Sequence, residues 1–109
     1  MPAKSPIPEI IAHRGFSSDA PENTLAAINL AWKSGCSGVE CDVYLTKDHR
    51  IMLMHDKTIK RTTGEDLRMA ETTSDQLRKL DAGSWKDAQY AGEKIPFLEE
   101  VLETIPEQG

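Results

Sequence analysis

Two histidines, His13 and His55, each stand directly after a short apolar run, where a strand gives way to a loop. In α/β sheets that is where sites gather, and an imidazole is suited to moving protons near neutral pH. Each has a charged neighbour, Arg14 beside His13 and Asp56 beside His55. One such histidine is more often structural; two at matching places leave both readings open. The third, His49, sits in a polar turn and reads as surface. Arg14 brings a planar fork of donors that suits phosphate or carboxylate, although the same residue type also forms surface ion pairs of little energetic weight.

Glu40 and Asp42 lie two apart in Gly38-Val39-Glu40-Cys41-Asp42-Val43-Tyr44-Leu45, which alternates like a strand. Residues i and i+2 of a strand share a face, so the two carboxylates project side by side. Buried together they repel unless a positive charge stands between them, and a hard divalent cation with oxygen ligands supplies one. A solvent-facing strand with two ordinary charges fits the same pattern. The sequence has no serine nucleophile elbow, no G-x-x-x-x-G-K-[ST] and no G-x-G-x-x-G. Taken together, the residues point to a phosphate ester, a metal and two histidines.

The elements that position these groups read as follows. Glu9 to Ala12 is a short buried strand ending at His13-Arg14-Gly15. Asn23 is a helix N-cap, Leu25, Ile28 and Trp32 form one apolar helix face, and Gly35 falls at the helix C′ position. The strand Gly38–Leu45 follows, then a polar turn over 46–50, then a strand Ile51–Met54. The linker between these strands is too short for a crossover helix. Either the strands form a hairpin or an extended return replaces the helix; sequence alone favours the hairpin. The stretch from Lys57 to about Lys94 is polar and irregular, with one capping box, Thr73 and Gln76, ahead of Leu77 and Leu80. Pro96 opens a last helix with Leu98, Val101, Leu102 and Ile105 as its stripe. Strand–helix alternation of this kind is α/β.

Composition narrows the function classes. A formal net charge of −5 argues against nucleic-acid binding through a basic surface. No apolar run is long enough to span a membrane; residues 1–9, with three prolines and one lysine, do not read as a signal peptide, and 1–8 read as an extended leader. A cytoplasmic location is the resulting expectation. Cys36 and Cys41 are expected to be reduced, partly buried and inert.

Several segments, in order, resemble the glycerophosphodiester phosphodiesterases: Ile11-Ala12-His13-Arg14-Gly15, Pro21-Glu22-Asn23-Thr24, Val39-Glu40-Cys41-Asp42-Val43, and His55-Asp56 followed by Arg61-Thr62-Thr63-Gly64. Leu80-Asp81-Ala82-Gly83-Ser84-Trp85 and Ile95-Pro96-Phe97-Leu98-Glu99-Glu100-Val101-Leu102 continue the pattern. Phe97 departs from it, since the family more often has Thr there; the effect falls on the start of the last helix.

The resemblance implies the N-terminal part of a (β/α)8 TIM barrel with a small insert, about residues 57–94, between strand and helix, capping the site. It implies hydrolysis of a glycerophosphodiester, a small-molecule substrate, to an alcohol and glycerol 3-phosphate. His13 and His55 resemble the acid–base pair, Arg14 the phosphate clamp, and Glu40 and Asp42 two ligands of Mg²⁺ or Ca²⁺. Glu22 and Asn23 match a loop motif that shapes the site. The family's extended return would make the two short-linked strands parallel. A closed barrel takes roughly 200 residues or more, so 109 residues are expected to be an incomplete domain. A third acidic ligand would lie beyond Gly109, and the unfinished sheet is expected to aggregate, associate with itself or depend on missing residues. Two other readings remain open: a related phospholipase C- or D-type phosphodiesterase, and a noncatalytic barrel fragment.

Overall fold

The computed structural model describes residues 10–106; the leader expected over 1–8, Glu9 of the first strand, and residues 107–109 lie outside the described residues. Strand β1, Ile11–His13, pairs in parallel with β2, Gly38–Glu40, in a register that sets His13 opposite Glu40. Between them runs helix α1, Leu25–Lys33, whose Ala27, Ile28 and Ala31 are buried. This is the βαβ unit expected from the sequence, its strands joined by a crossover helix.

The cap of α1 lies one residue later than expected. Thr24 is extended (φ −114°, ψ 162°) and its hydroxyl accepts from Ala27 N–H. Asn23 is left-handed, at φ 54°, and an N-cap needs an extended backbone. The C-terminus ends as expected: Gly35, at φ 88°, and Cys36 donate to the carbonyls of Trp32 and Ala31, a Schellman closure.

The single strand expected over Gly38–Leu45 is two. Strand β3, Val43–Leu45, pairs antiparallel with β4, Ile51–Leu53. The hairpin favoured by the short linker is therefore present, and the parallel extended return is corrected. The reason lies at Asp42, where the backbone changes partners: its N–H goes to Asn23 Oδ1 and its carbonyl accepts from Met54 N–H. Side-chain alternation continues through such a break and cannot reveal it.

Strand β4 divides the core by its own alternation. Met52 packs with Met54, Ile59, Met69, Leu77, Ala82 and Ile95, while Leu53 packs with Ile28 and Val101. The first cluster belongs largely to the segment between β4 and the last helix. That segment is less irregular than its polarity suggested. It contains α2, Lys60–Thr63, and α3, Ser74–Leu77, with 3-10 turns at Met69–Glu71 and Ala88–Tyr90. The capping box of Thr73 and Gln76 closes α3 as expected. The end of the segment is tied to the loop after β1 and to the first turn of α1: Lys86 Nζ donates to Ser17 O, Tyr90 Oη donates to Asp19 O, and Glu93 accepts from Ala26 N–H.

The last helix, α4, Leu98–Leu102, is shorter than expected. Its cap is Phe97, so Pro96 precedes the helix rather than opening it. Phe97 has no hydroxyl to cap with; Glu100 instead accepts from its N–H (2.9 Å), and Arg50 lies over its ring (4.2 Å). Only Val101 of the expected stripe is buried, whereas Leu102 and Ile105 are about half exposed, at 55% and 51%. Ile11, Leu45 and Ile51 are exposed as well. Among the described residues no helix is long and apolar enough to cross a membrane.

Candidate functional site

The site begins at the carboxyl end of β1. Arg14 and Gly15 both have positive φ, 57° and 78°, so the chain leaves the strand in a sharp turn. Gly15 also has no room for a side chain: a Cβ would come within 2.7 Å of the Ala27 carbonyl carbon. The glycine lets the loop lie against α1, where Phe16 N–H bonds Ala27 O at 2.9 Å. Holding an arginine left-handed costs roughly 1–2 kcal/mol, and such strain tends to sit where function needs it.

Asn23 joins three of the site's supports. Its backbone N–H donates to Arg14 O (2.9 Å). Its amide Nδ2 donates to Asp42 Oδ2 (3.1 Å) and its Oδ1 accepts from Asp42 N–H (3.2 Å). Met54 N–H then bonds Asp42 O at 2.9 Å. The end of β1, the break between β2 and β3, and the end of β4 are thus stitched together through Asn23 and Asp42, with the buried Asn23 amide as the link between the two. Asparagine suits the place because it tolerates the left-handed region and offers both a donor and an acceptor.

His13 Nε2 lies 3.3 Å from Glu40 Oε1, with both side chains more than half exposed. Arg14 lies between two carboxylates, Nη1 at 3.4 Å from Glu22 and Nε at 3.4 Å from Asp42. Both distances are long for charge-assisted bonds. Arg14 Nε is buried and has no hydrogen-bond partner among the described residues. Orphaned buried donors are uncommon and call for a partner.

On the other side, His55 Nδ1 is 2.8 Å from Asp56 Oδ1. Arg61 grips two carboxylates at once. It donates to Glu22 from Nη1 and Nη2 (2.9 and 2.7 Å), and to Asp56 from Nε and Nη2 (2.9 and 3.3 Å). The Arg61 hydrogen bonds hold the carboxyls of Glu22 and Asp56 below their ordinary ranges, outweighing the burial that acts the other way. The same partners raise the Arg61 guanidinium above its usual value. Glu22 is consequently a buried, ionised carboxylate shared by two arginines.

A continuous polar chain therefore runs from His55 through Asp56, Arg61, Glu22 and Arg14 to Asp42 and Asn23, with the His13–Glu40 pair next to it in sequence. The sequence reading singled out both ends but gave no role to Asp56 or Arg61. The signal available was Arg61, five residues after Asp56. What brings them together is the short helix α2, closed by left-handed Gly64 at φ 82°.

Glu40 and Asp42 are the residues able to hold a cation. Their oxygens suit a hard divalent ion, and the site carries four carboxylates (Glu22, Glu40, Asp42, Asp56) against two guanidiniums. One dication would balance that excess. Among the described residues no third His, Cys, Asp or Glu completes a ligand cluster. Cys36 and Cys41 are free and half-buried. Burial, with Asp42 and Glu40 nearby, raises the Cys41 thiol, which keeps it protonated and unreactive. His49 is exposed in its turn, away from these groups.

Fold and site together define an α/β chain that gathers histidines, arginines and carboxylates at its strand ends. Residues 13–109 match the model of the glycerophosphoryl diester phosphodiesterase family, and the chain belongs to that family. It is 46% identical over 96 residues to a glycerophosphodiester phosphodiesterase of Caldanaerobacter subterraneus, covering 88% of this chain and 40% of that protein. With human glycerophosphodiester phosphodiesterase 1 it shares 49% over 94 residues, which is 84% of this chain and 28% of the relative. Among solved structures it is similar to an Oleispira antarctica phosphodiesterase in complex with the product sn-glycerol-3-phosphate, with TM-score 0.87 and 47% identity over 90% of this chain and 40% of that one. A glycerophosphodiester phosphodiesterase of Agrobacterium tumefaciens gives TM-score 0.86 and 37% identity, covering 89% and 42%. The chain thus spans about two fifths or less of the length of these relatives, and its fold is the N-terminal part of their barrel.

Proposed function

We propose that these residues form the leading part of a catalytic barrel domain that hydrolyses glycerophosphodiesters to an alcohol and glycerol 3-phosphate, within lipid and glycerol metabolism. The observation that carries this reading is the single polar network joining Arg14, Asp42, Glu22, Arg61, Asp56 and His55 at the strand ends. The names of the relatives and the product complex of the Oleispira antarctica protein support it.

In this reading Arg14 is the phosphate clamp. Its Nη2, which makes no hydrogen bond among the described residues, and the weakly held Nη1 at 3.4 Å from Glu22 can turn to a phosphate oxygen, where charge-assisted, forked bonds are strongest. His13 and His55 exchange the protons: one takes a proton from the attacking hydroxyl and the other gives one to the leaving alkoxide. Glu40 and Asp42 would hold Mg²⁺ or Ca²⁺, which when bound supplies positive charge for the developing anion. Asn23 fixes the Asp42 carboxylate, and Glu22 keeps Arg14 within reach.

The test is product release. The protein isolated from its natural source, given glycerophosphoethanolamine with Mg²⁺ or Ca²⁺, is expected to release glycerol 3-phosphate, and a chelator is expected to stop it. Absence of release with either ion, or release that survives the chelator, contradicts the reading.

A further inference from the structure

The two arginines of the network have different spare capacity. A guanidinium has five N–H donors. Arg61 uses them on four bonds to two carboxylates, all between 2.7 and 3.3 Å. Arg14 makes one long bond, at 3.4 Å, and leaves Nε without a hydrogen bond among the described residues. Arg14 thus has donors left for a substrate, and Arg61 has almost none. Its geometry serves the two carboxylates it holds.

Asp56 shows what that hold does. Its Oδ2 accepts from Arg61 Nε, and its Oδ1 is shared between Arg61 Nη2 and His55 Nδ1. Gripped along one edge, the carboxylate cannot turn away from the imidazole. An ionised carboxylate only accepts hydrogen bonds, so the imidazole nitrogen facing it must carry the proton. In neutral His55 the lone pair then lies on Nε2, on the far side of the ring. Such an outer partner fixes both the tautomer and the ring orientation.

We propose that Arg61 is a positioning residue: through Asp56 it holds His55 protonated on Nδ1 with Nε2 left for proton exchange, and through Glu22 it ties that histidine to Arg14. The catalytic part of this inference rests on the function proposed above; the tautomer part does not. Arg61 itself touches no reacting atom. It joins α2 of the insert to the loop after β1, so the insert helps align two groups from different strand ends.

The experiment is a long-range ¹H–¹⁵N spectrum of the histidines in the protein, at a pH where they are neutral, beside steady-state kinetics. The wild-type His55 is expected as the Nδ1–H tautomer. In Arg61→Met the Asp56 carboxylate is released, a mixture of tautomers is expected, and kcat should fall between about 10- and 100-fold with KM changed far less. Arg61→Lys keeps the charge but cannot fork across two carboxylates, and should recover part of both. A wild-type His55 protonated on Nε2 overturns the proposal, even if Arg61→Met does not fold. So does an Arg61→Met protein that keeps both the Nδ1–H form and the wild-type kcat. If the wild type hydrolyses no glycerophosphodiester while the tautomer still responds to Arg61, positioning stands and the proposed function falls.

Discussion

Replacing Asn23 with alanine removes one buried side chain and should loosen the whole site. The amide makes two hydrogen bonds to Asp42, one donated to the carboxylate and one accepted from the backbone N–H. A bond to a charged group contributes about 1.5–3 kcal/mol and a neutral one about 0.5–1.5 kcal/mol. Asn23 is 4% exposed, so water does not replace either bond easily. Its φ of 54° adds roughly 1 kcal/mol for alanine, which lacks asparagine's tolerance of that region. The sum is about 3–5.5 kcal/mol, a large part of a typical domain's stability. At roughly 4 °C or more per kcal/mol, the melting temperature should fall by about 12 °C or more. Asn23→Gly loses the same bonds but not the conformational fit, and should be about 1 kcal/mol less damaging than alanine. Thermal and urea unfolding, followed by the fluorescence of Trp32 and Trp85, measure both. A fall of only a few degrees in Asn23→Ala would refute the stitch. Equal losses for alanine and glycine would refute the backbone part of the argument.

Other outcomes follow from the same geometry. Glu22 and Asp56 are held below ordinary carboxyl values, so the folded state binds fewer protons than the unfolded one in acid. Their contribution is full above the unfolded values of 4.5 and 3.8 and is lost as pH falls through the folded ones. The stability gap between wild type and Glu22→Gln in urea should therefore be largest near neutrality and shrink by pH 3; a gap independent of pH would contradict the ion-pair account. Gly15→Ala and Gly64→Ala separate close packing from backbone preference. Both glycines have positive φ, but only Gly15 has backbone within 2.7 Å of a Cβ, while Gly64 faces open space. Gly64→Ala should cost about 1–2 kcal/mol and Gly15→Ala clearly more, read from urea midpoints; equal costs would argue against the close approach. The exposed Ile11, Leu45, Ile51, Leu102 and Ile105 should make the 109-residue chain self-associate in sedimentation. Leu45→Lys with Ile51→Lys should reduce that association, and a strictly monomeric wild type would contradict it.

Much of the site was legible because its groups lie at ends of short apolar runs. His13, Arg14, Glu40, Asp42 and His55 stand out by type and place, and a linker as short as residues 46–50 excludes a crossover helix. What pattern could not show was the change of hydrogen-bond partner at Asp42, because alternation of side chains survives it. For the same reason Asn23 looked like a cap: its spacing before the helix is right, and only its distant partner, Asp42, explains its left-handed backbone. Arg61 was hidden in a polar stretch whose buried residues, Ile59, Met69 and Leu77, are spread too widely to reveal a core. The expected stripe of α4 failed at Leu102 and Ile105 because periodicity marks a face without saying that anything covers it.

The most direct test of the proposed acid–base pair is the hydrolysis rate of His13→Ala and His55→Ala in the protein, measured as glycerol 3-phosphate release beside the melting temperature. Each variant is expected to lose turnover while melting close to wild type, since the His13 and His55 side chains, 61% and 41% exposed, lie outside both core clusters. Near wild-type hydrolysis by either folded variant would contradict the account.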